Sequence, residues 1–564
     1  MKISRRAHVE DNALKNIVAD PLLRQLLASR GVQCAEDVRA GLRDLLHYRD
    51  LKDIDRAARL IGEAIRSGQH FLIAGDYDVD GLTGTALGVR ALKAFSVAQV
   101  SYYVPSRYNG GYGLSEEVIR NYAKQGVSFV ITVDNGISSH EAVNVAHALN
   151  MQVVITDHHQ PQQVLPDADA CVDPKRADCK FASKNLCGVG VLFYVLLAVR
   201  AYLQEQGYFT TRKRPEMENY LDLVALGTIG DVVPLDSNNR RLVKSGLRRI
   251  TQGKTTAGIK ALVRKCRLDL THLNTQEVSF SLCPKLNAAG RLKLSNNPAI
   301  ELLLTDDATE GDLLSVQLDM CNRRRGDFQR VALQEAEEDA KSQLGRQSLV
   351  LHRSTWIPGI AGLIAGKLKD LHQVPCFIFT GADDFLQGSA RSMPGYSLSH
   401  ILNEVNSLHP GLLQRYGGHD QAAGAVIKKQ DLPEFTNIFN AECAKYGGHD
   451  EETLLSDGLL PTDYYSLDFA RMLECYGPWG NGFPEPCFDG IFYIESVYLL
   501  ANVRLLLRLE GAAGEQLTAV KIFPSQEEKQ LQAGNKIKIL YSLKVDRYAS
   551  QEKLTAQIEM LERL

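Results

Sequence analysis

Carboxylate and imidazole side chains collect directly after short apolar runs of this chain. Carboxylate oxygens and imidazole nitrogens are ligands that suit Mg²⁺ or Mn²⁺. The groups are Asp76, Asp78 and Asp80 after HFLIA, Asp134 after VSFVITV, Asp157, His158 and His159 after VVIT, and Asp231 after LGTIG. A set of this size could hold two divalent ions about 3.5–4 Å apart, with one acid between them, and such a pair activates water against a bound phosphate. The chemistry indicated is hydrolysis of a phosphate ester or anhydride.

The apolar runs that precede these groups are typical of buried parallel strands. They are short, rich in β-branched residues, and separated by helical patterns at 82–95 and 138–149. This alternation predicts a parallel sheet that is covered on both faces. In open α/β sheets, ligands bind beyond the carboxyl ends of the strands. We therefore expect the first three clusters to meet at one rim, where their mutual repulsion requires a cation.

Each cluster alone has an ordinary interpretation. A single Asp after a strand is usually a helix N-cap. The DYDVDG segment resembles a calcium loop, although it lacks the later bidentate Glu, and His158 and His159 could be satisfied loop histidines. Independent caps have no reason to collect after three strands beside adjacent histidines, so the pattern favours a metal site.

Composition excludes several classes of protein. The 564 residues are 45% hydrophobic and 23% charged, which indicates a globular chain of three or four domains. The net charge of −3 gives no global basic field, so any nucleic-acid contact must be local. The apolar stretch 186–199 is too short for a bilayer, the first residues lack the apolar core of a secretory signal, and eleven cysteines occur without CxxC pairs. We expect free thiols, a cytoplasmic protein and no membrane contact.

Five segments follow from the pattern along the chain, and together they predict an α/β fold. Two α/β lobes, the first built on the parallel sheet, are joined by a long charged helix, and alternating strands after 455 indicate an OB-type barrel, with a sandwich as the alternative. The expected bounds are 1–50 for a helical preface, 51–307 for the first lobe, 308–344 for the connecting helix, 345–454 for the second lobe and 455–564 for the barrel.

Six motifs resemble one superfamily in order along the chain. They are DYDVDG, ITVDNG, DHH, LGTIGDVVPL, PKLNAAGRL and GGHDQAAG. The chain is similar to the DHH phosphoesterases and, among them, to the RecJ family of single-strand-specific exonucleases. The departures, Val79 and Lys285 where many relatives have Ala and Arg, do not involve expected ligands. The resemblance implies a DHH catalytic lobe, a DHHA1-type substrate-binding lobe and an OB-fold nucleic-acid-binding domain.

The resemblance also implies roles at the rim. It assigns metal binding, for two Mn²⁺ or Mg²⁺ ions, to Asp78, Asp80, Asp134, His158 and Asp231. Asp134 would bridge the ions and Asp76 would lie close to the first of them. His159 would either lie outside the metal ligands and support them or contact the substrate; Asp76 and His159 are the expected catalytic residues. The implied activity is 5′→3′ degradation of single-stranded DNA to mononucleotides in repair and recombination. A single-strand-binding protein and recombination or repair helicases are the implied partners.

Five residues are expected to bind the substrate. Arg107 and Arg291 offer planar guanidinium groups in glycine-containing loops, although each could be an ordinary surface arginine. By resemblance, Ser389 and Arg391 hold the terminal 5′ phosphate. His419 is predicted in a glycine turn before a small-residue helix, either as part of a phosphate cradle or in a simple strand–helix connection.

Two other functions remain open at this point. The same metal site could act on short oligoribonucleotides, a nucleotide 3′,5′-bisphosphate or pyrophosphate, but such relatives typically lack the barrel. A non-catalytic DNA-binding scaffold is the third interpretation, and relatives of that kind typically lose metal-binding acids, which are all present here.

Overall fold

The computed structural model describes residues 2–106, 113–294, 296–446, 453–547 and 551–564. The amino-terminal elements are β1 (Lys2–Arg5), α1 (Pro21–Ala28) and α2 (Ala35–Arg39). The first lobe contains α3 (Ile54–Arg66), β2 (Phe71–Ala74), α4 (Val79–Ala94), β3 (Val100–Tyr103), α5 (Glu116–Ala123), β4 (Phe129–Val133), α6 (His140–Ala148), β5 (Gln152–Thr156) and β6 (Ala170–Val172). Helices then follow as α7 (Gly188–Glu205), α8 (Leu221–Gly230), α9 (Ser237–Thr251), α10 (Ala257–Lys265), α11 (Thr275–Glu277), α12 (Cys283–Ala289), α13 (Pro298–Leu304) and α14 (Ala308–Ala340).

The carboxyl-terminal half is richer in strands. Its first part contains β7 (Leu349–His352), α15 (Pro358–His372), β8 (Cys376–Thr380), β9 (Phe385–Arg391), α16 (Leu398–Leu408), β10 (Leu413–Gly418), β11 (Ala422–Lys428) and α17 (Leu432–Ala444). Its last part contains β12 (Thr453–Ser456), α18 (Leu467–Tyr476), β13 (Phe488–Leu500), β14 (Arg504–Gly511), β15 (Gln516–Ile522), β16 (Lys536–Asp546) and β17 (Lys553–Arg563).

The first lobe is the predicted parallel sheet. Its order is β3-β2-β4-β5-β6, and every neighbouring pair is parallel. All residues of β2 and β4 are buried, which explains their unbroken apolar sequence. The chain leaves β2 toward β3 on one side and returns to β4 on the other side. The crevice at this reversal, beyond the carboxyl ends of β2 and β4, is where open sheets of this kind bind ligands.

Helix α7 is a core element of this lobe. Among the described residues it is the one helix that is long and apolar enough to cross a membrane by length and composition, and 67% of that stretch is buried inside the protein. It packs against α3, α4 and α8. Its apolar sequence is therefore accounted for by burial within the fold.

The second lobe contains a mixed five-stranded sheet in the order β10-β11-β9-β8-β7. One face carries a phenylalanine cluster in which Phe377 stacks on Phe379 and meets Phe435 and Phe439 edge-on. The other face packs against α15 and the end of α14. The last strands close into the barrel β13-β14-β15-β17-β16. This confirms the predicted barrel and excludes the alternative sandwich for this segment.

The chain divides into two compact units. One contains residues 47–231 and 246–450, and the other contains residues 1–46, 232–245 and 451–564. In the second of these, β1 pairs in parallel with β12, which joins the amino-terminal segment to the barrel segment. The sequence analysis predicted only helices in the first 50 residues and missed this strand.

A buried ion pair joins distant segments of that unit. The Arg30 guanidinium donates to both carboxylate oxygens of Asp457 at 2.9 and 2.7 Å, with 0% and 3% of the two side chains exposed. Arg30 also lies over the Trp479 ring, which stacks on Phe483, and Arg240 covers the opposite end of this stack. The stack and the ion pair bring three separated stretches of sequence into one core.

Replacing Asp457 with alanine should destabilise this unit strongly. The change leaves Arg30 buried without its counter-ion, a loss that typically costs about 3–5 kcal/mol. The chain has two tryptophans, Trp356 and Trp479, so fluorescence of a Trp356→Phe background reports unfolding around Trp479. The exposed acid of the Arg39–Glu36 pair provides the control, because Glu36→Ala should leave the urea midpoint little changed. Equal midpoints for both variants would contradict a role for the buried pair.

Candidate functional site

Two of the acidic residues after β2 are held by backbone N–H groups. Asp78 is the N-cap of α4, and its Oδ1 accepts from the Asp80 and Gly81 amides at 3.0 and 3.2 Å. The Asp80 carboxylate accepts from the Gly188 and Val189 amides, at 2.6 and 2.8 Å, at the amino terminus of α7. The N-cap interpretation of Asp78 is therefore right as local structure. It does not exclude a metal, because a carboxylate has several acceptor positions.

Asp134 is held in an unusual backbone conformation. It follows β4 with φ +61°, a left-handed geometry that few residues other than glycine adopt. A Cβ on Gly188 would lie 2.5 Å from the Cβ of Asp134, so the small residue at the start of α7 makes room for this turn. The sharp turn places the Asp134 carboxylate between the β2 acids and His158.

His158 lies at the centre of the acids. Its Nε2 is 3.0 Å from Asp134 Oδ1, 3.5 Å from Asp231 Oδ2 and 3.7 Å from Asp80 Oδ2. Among the described residues, ligand atoms within 4.8 Å of one another form three groups, which are Asp76–Asp78–Asp134, Asp80–His158–Asp231 and Asp134–His158–His159. The structure thus brings all the predicted metal ligands together, with Asp134 shared between groups.

The protonation of this cluster indicates a cation site. Burial, reinforced by the charges of neighbouring acids, raises the pKa of Asp134 well above its usual value, that of Asp80 to about 7 and that of Asp231 to about 8. Burial and the charge of His159 lower the pKa of His158 to about 3, which keeps that imidazole neutral and able to bind a metal. Several carboxylates can share so little space in ionised form only with cations among them. The donor set of carboxylates and one neutral imidazole fits Mn²⁺ or Mg²⁺.

Asp157 belongs to the cluster that the sequence identified, but the sequence assigned it no role. It is fully buried, accepts from the Ile137 amide at 2.9 Å, and accepts from His159 Nδ1 at 2.8 Å. Burial disfavours a charged His159, but the hydrogen bond to Asp157 and its charge outweigh this and raise the pKa of His159 to about 9. Asp157 therefore orients His159 and keeps it cationic at neutral pH.

Metal-free protein should lose stability between pH 6.5 and 9. Asp80, Asp231 and His159 have pKa values of about 7, 8 and 9 in the folded protein, above their ordinary values of 3.8, 3.8 and 6.5. The folded state then binds more protons than the unfolded state in this window, so its stability falls as pH rises. Melting curves in chelator at pH 6.5 and 9 measure this.

Added Mn²⁺ is the control for that pH dependence. Because an ion binds the ionised acids, it should raise the melting temperature more at pH 9 than at pH 6.5. A melting temperature that rises with pH in chelator would contradict the assigned protonation.

Three of the predicted substrate-binding residues lie close to the sheet of the second lobe and the first turns of α15. Ser389 and Arg391 occupy the central strand β9, where Arg391 pairs with Ala422 of β11. A Cβ on Gly362 would lie 3.0 Å from Arg391 Nη2, and Arg291 donates to the Gly359 carbonyl at 2.9 Å. Both arginines therefore lie against the first turns of α15. Arg107 falls outside the described residues.

The prediction of a helix after His419 is wrong. The segment that follows is β11, and His419 lies in a β-hairpin where its amide donates to the Ala422 carbonyl at 2.8 Å. Strand pairing with β9 overrides the helical preference of the alanines. Partial burial lowers the pKa of His419, and the charges of His159 and Lys175 lower it further.

Comparison with known proteins agrees with this architecture. Family models match in three consecutive stretches: the N-terminal domain of the DHH family over 70–228, the DHHA1 domain over 345–445 and the RecJ OB domain over 456–560. The single-stranded-DNA-specific exonuclease RecJ of Dickeya dadantii is 40% identical over 507 residues, 88% of each chain. The Escherichia coli K12 protein of that name is 37% identical over 524 residues, covering 91% of this chain and 90% of that one.

Solved structures of a similar protein contain divalent metal ions. The crystal structure of RecJ in complex with Mn²⁺ from Thermus thermophilus has a TM-score of 0.82 at 28% identity, covering 99% of this chain and 79% of that one. A second structure of that protein contains Mg²⁺. The fold is therefore that of the DHH family with a companion DHHA1 domain. With a RecJ-type OB domain as well, this chain belongs to the RecJ family.

Proposed function

We propose that this chain is a metal-dependent exonuclease that degrades single-stranded DNA from the 5′ end to mononucleotides. The observation that carries the proposal is the convergence of Asp78, Asp80, Asp134, His158 and Asp231 from separate elements on one rim. The named activity of the relatives supports the substrate. The same likeness supports a role in DNA repair and recombination.

Two ions fit the grouping of the ligands. Asp78 and Asp134, with Asp76 near them, would hold one ion, and the group around His158 would hold the other, with Asp134 shared. When bound, such ions stabilise negative charge on phosphate oxygens and make a water molecule more acidic. The cationic His159, fixed by Asp157, would bind the phosphate that is cleaved. This arrangement favours phosphodiester hydrolysis.

The second lobe supports the direction of cleavage. Ser389 and Arg391 on β9 offer a hydroxyl and a guanidinium for a terminal 5′ phosphate, and Arg291 lies against the same helix. A terminal phosphate anchored there would set the first internal phosphate at the metal rim, so each cut would release one nucleotide. The closed OB barrel suits a polymeric strand better than a small nucleotide.

Partners and location are part of the proposal. A cytoplasmic enzyme that acts on strands exposed during repair would meet a single-strand-binding protein and recombination or repair helicases. The support for these partners is family resemblance.

Digestion of end-labelled DNA tests the proposal. We expect Mn²⁺-dependent release of labelled mononucleotide from the 5′ end of single strands, no comparable loss of duplex, and retention of a 3′ label on shortening products. Chelator should stop the reaction and Mn²⁺ should restore it. Equal cutting of both substrates would contradict strand specificity, and faster turnover of dinucleotides than of long strands would favour the alternative of a short-oligonucleotide phosphoesterase.

A further inference from the structure

Strand β14 of the barrel turns two arginines to the outside. Its inward residues fill the barrel core with 0% of their surface exposed, and they are Leu505, Leu507 and Leu509. Since side chains alternate between the two sides of a strand, Arg504, Leu506 and Arg508 face outward. The two arginines lie four residues apart, which is about 13 Å along the strand.

Pairing in register extends this outer surface over three strands. The cross-strand rows are Leu500–Arg504–Ile522, Tyr498–Leu506–Val520 and Ser496–Arg508–Thr518. We call these nine residues the β14 face, and none of them is acidic. Tyr498, Leu500 and Ile522 are 55%, 53% and 38% exposed. Adjacent apolar side chains left open in this way, bordered by polar groups, typically mark a binding surface.

The two guanidinium groups of the β14 face are not neutralised by the protein. Within the described part of the chain, neither Arg504 nor Arg508 has a hydrogen bond or an ion pair. Arg547 on the same barrel segment differs, because it binds both Glu474 and Glu552. The Tyr498 row lies midway between the two arginine rows, so an exposed ring is placed between two free cations.

This combination of groups fits a single nucleic-acid strand. Unpaired bases stack on aromatic rings, and arginine binds the phosphates of the backbone. A duplex keeps its bases stacked inside and offers none to Tyr498. Strands β14 and β15 are the second and third of the closed barrel, and in OB folds the surface of these strands binds oligonucleotides. The charge and the apolar groups of the β14 face therefore complement single-stranded DNA.

We propose that the β14 face binds single-stranded DNA, with Tyr498 stacked on a base and Arg504 and Arg508 on the phosphates at either side. This inference rests on the proposed function, because it gives the same substrate a second contact surface. The face is separate in sequence from every residue assigned to the metals or to the 5′ phosphate. Its role is affinity for strands long enough to reach it.

Binding of the full chain to labelled DNA in chelator tests the face without cleavage. The probe is a single strand of about 30 nucleotides, which exceeds the site size of one OB fold. Tyr498→Ala should raise Kd at least about fivefold, the lower range for loss of one stacked base, and Tyr498→Phe should keep the wild-type Kd. An abasic strand of the same length should bind Tyr498→Ala and wild type equally.

Salt dependence measures the phosphate contacts. Arg504→Gln and Arg508→Gln should each reduce the slope of log affinity against log salt by about 0.7, the value for one lost contact to a single strand. These side chains face outward, so the melting temperatures should match that of wild type.

Two matched controls come from the same barrel. Tyr493 is also an exposed ring on β13, but it lies beside Glu510 and under the Lys536 ammonium, so Tyr493→Ala should leave Kd unchanged. Arg563→Gln removes an exposed arginine on β17 and should leave the salt slope unchanged.

The outcomes separate this face from the proposed function. Wild-type Kd in Tyr498→Ala together with wild-type salt slopes in the arginine variants would overturn the assignment and leave the face to a protein partner. An equal loss with the abasic strand would overturn the stacking role. A wild-type protein that binds strands through this face but fails to cleave them in Mn²⁺ would contradict the proposed function and still support the β14 face.

Discussion

Replacing Asp134 with asparagine is expected to lower the rate of single-strand hydrolysis by at least about a thousandfold, the loss that follows removal of a group that organises transition-state charge. Asp134 is the carboxylate shared between the ligand groups, so its loss weakens both proposed ion positions. Asparagine is close in size and tolerates the positive φ of this position, so the backbone turn should persist. Single-turnover kinetics with a 5′-labelled strand measures the rate, and anisotropy should show that strand binding is retained.

A stability measurement separates this effect from misfolding. Because burial and neighbouring acids disfavour the ionised Asp134, the Asp134→Asn protein should melt at a higher temperature than wild type in chelator. It should also gain less from added Mn²⁺. Asp167→Asn, a change at an exposed acid of the same lobe, is the matched control and should behave as wild type. An Asp134→Asn protein that cleaves at the wild-type rate would rule out the assigned role.

Replacing His159 with glutamine should lower kcat about a hundredfold, the lower range for loss of one electrostatic contact to the reacting phosphate. The imidazole is cationic at neutral pH because the hydrogen bond and charge of Asp157 raise its pKa to about 9 against the effect of burial. Glutamine keeps a polar side chain but supplies no charge. Steady-state rates on long single strands at saturating Mn²⁺ measure the loss.

Asp157→Asn tests whether Asp157 acts through His159. Loss of an outer partner of this kind typically costs about 10–100-fold, so we expect a smaller decrease than for His159→Gln. The double variant should be no slower than His159→Gln alone, because both changes remove the same oriented cation. Multiplicative losses in the double variant would show instead that Asp157 acts independently of His159.

The sheet and its metal rim could be predicted because local sequence determines them. An apolar run such as VSFVITV forms a buried strand, and the acid that follows it must lie at the carboxyl end of that strand. Parallel pairing then brings the ends of β2, β4 and β5 to one edge. The position of Asp231 needed the tertiary fold as well, since it lies at the carboxyl end of a helix and reaches His158 only through packing.

Other features depend on contacts that sequence spacing does not reveal. In the DHH motif, the sequence analysis assigned roles to the two histidines and none to Asp157. The role of Asp157 is visible only in its hydrogen bonds to His159 and to the Ile137 amide. The hairpin at His419 is set by pairing with β9 rather than by alanine propensity. The association of residues 1–46 with the barrel segment rests on β1–β12 pairing and on the Arg30–Asp457 ion pair, which join the two ends of the chain.

The most direct test is anomalous diffraction from crystals grown with Mn²⁺ and a short 5′-phosphorylated strand. We predict two manganese peaks about 3.5–4 Å apart, with the Asp134 carboxylate between them and His158 bound to one of them. The cleavable phosphate should lie against both peaks, and the terminal 5′ phosphate should contact Ser389 and Arg391. No manganese at this rim, or manganese bound only elsewhere with the strand in place, would contradict the account.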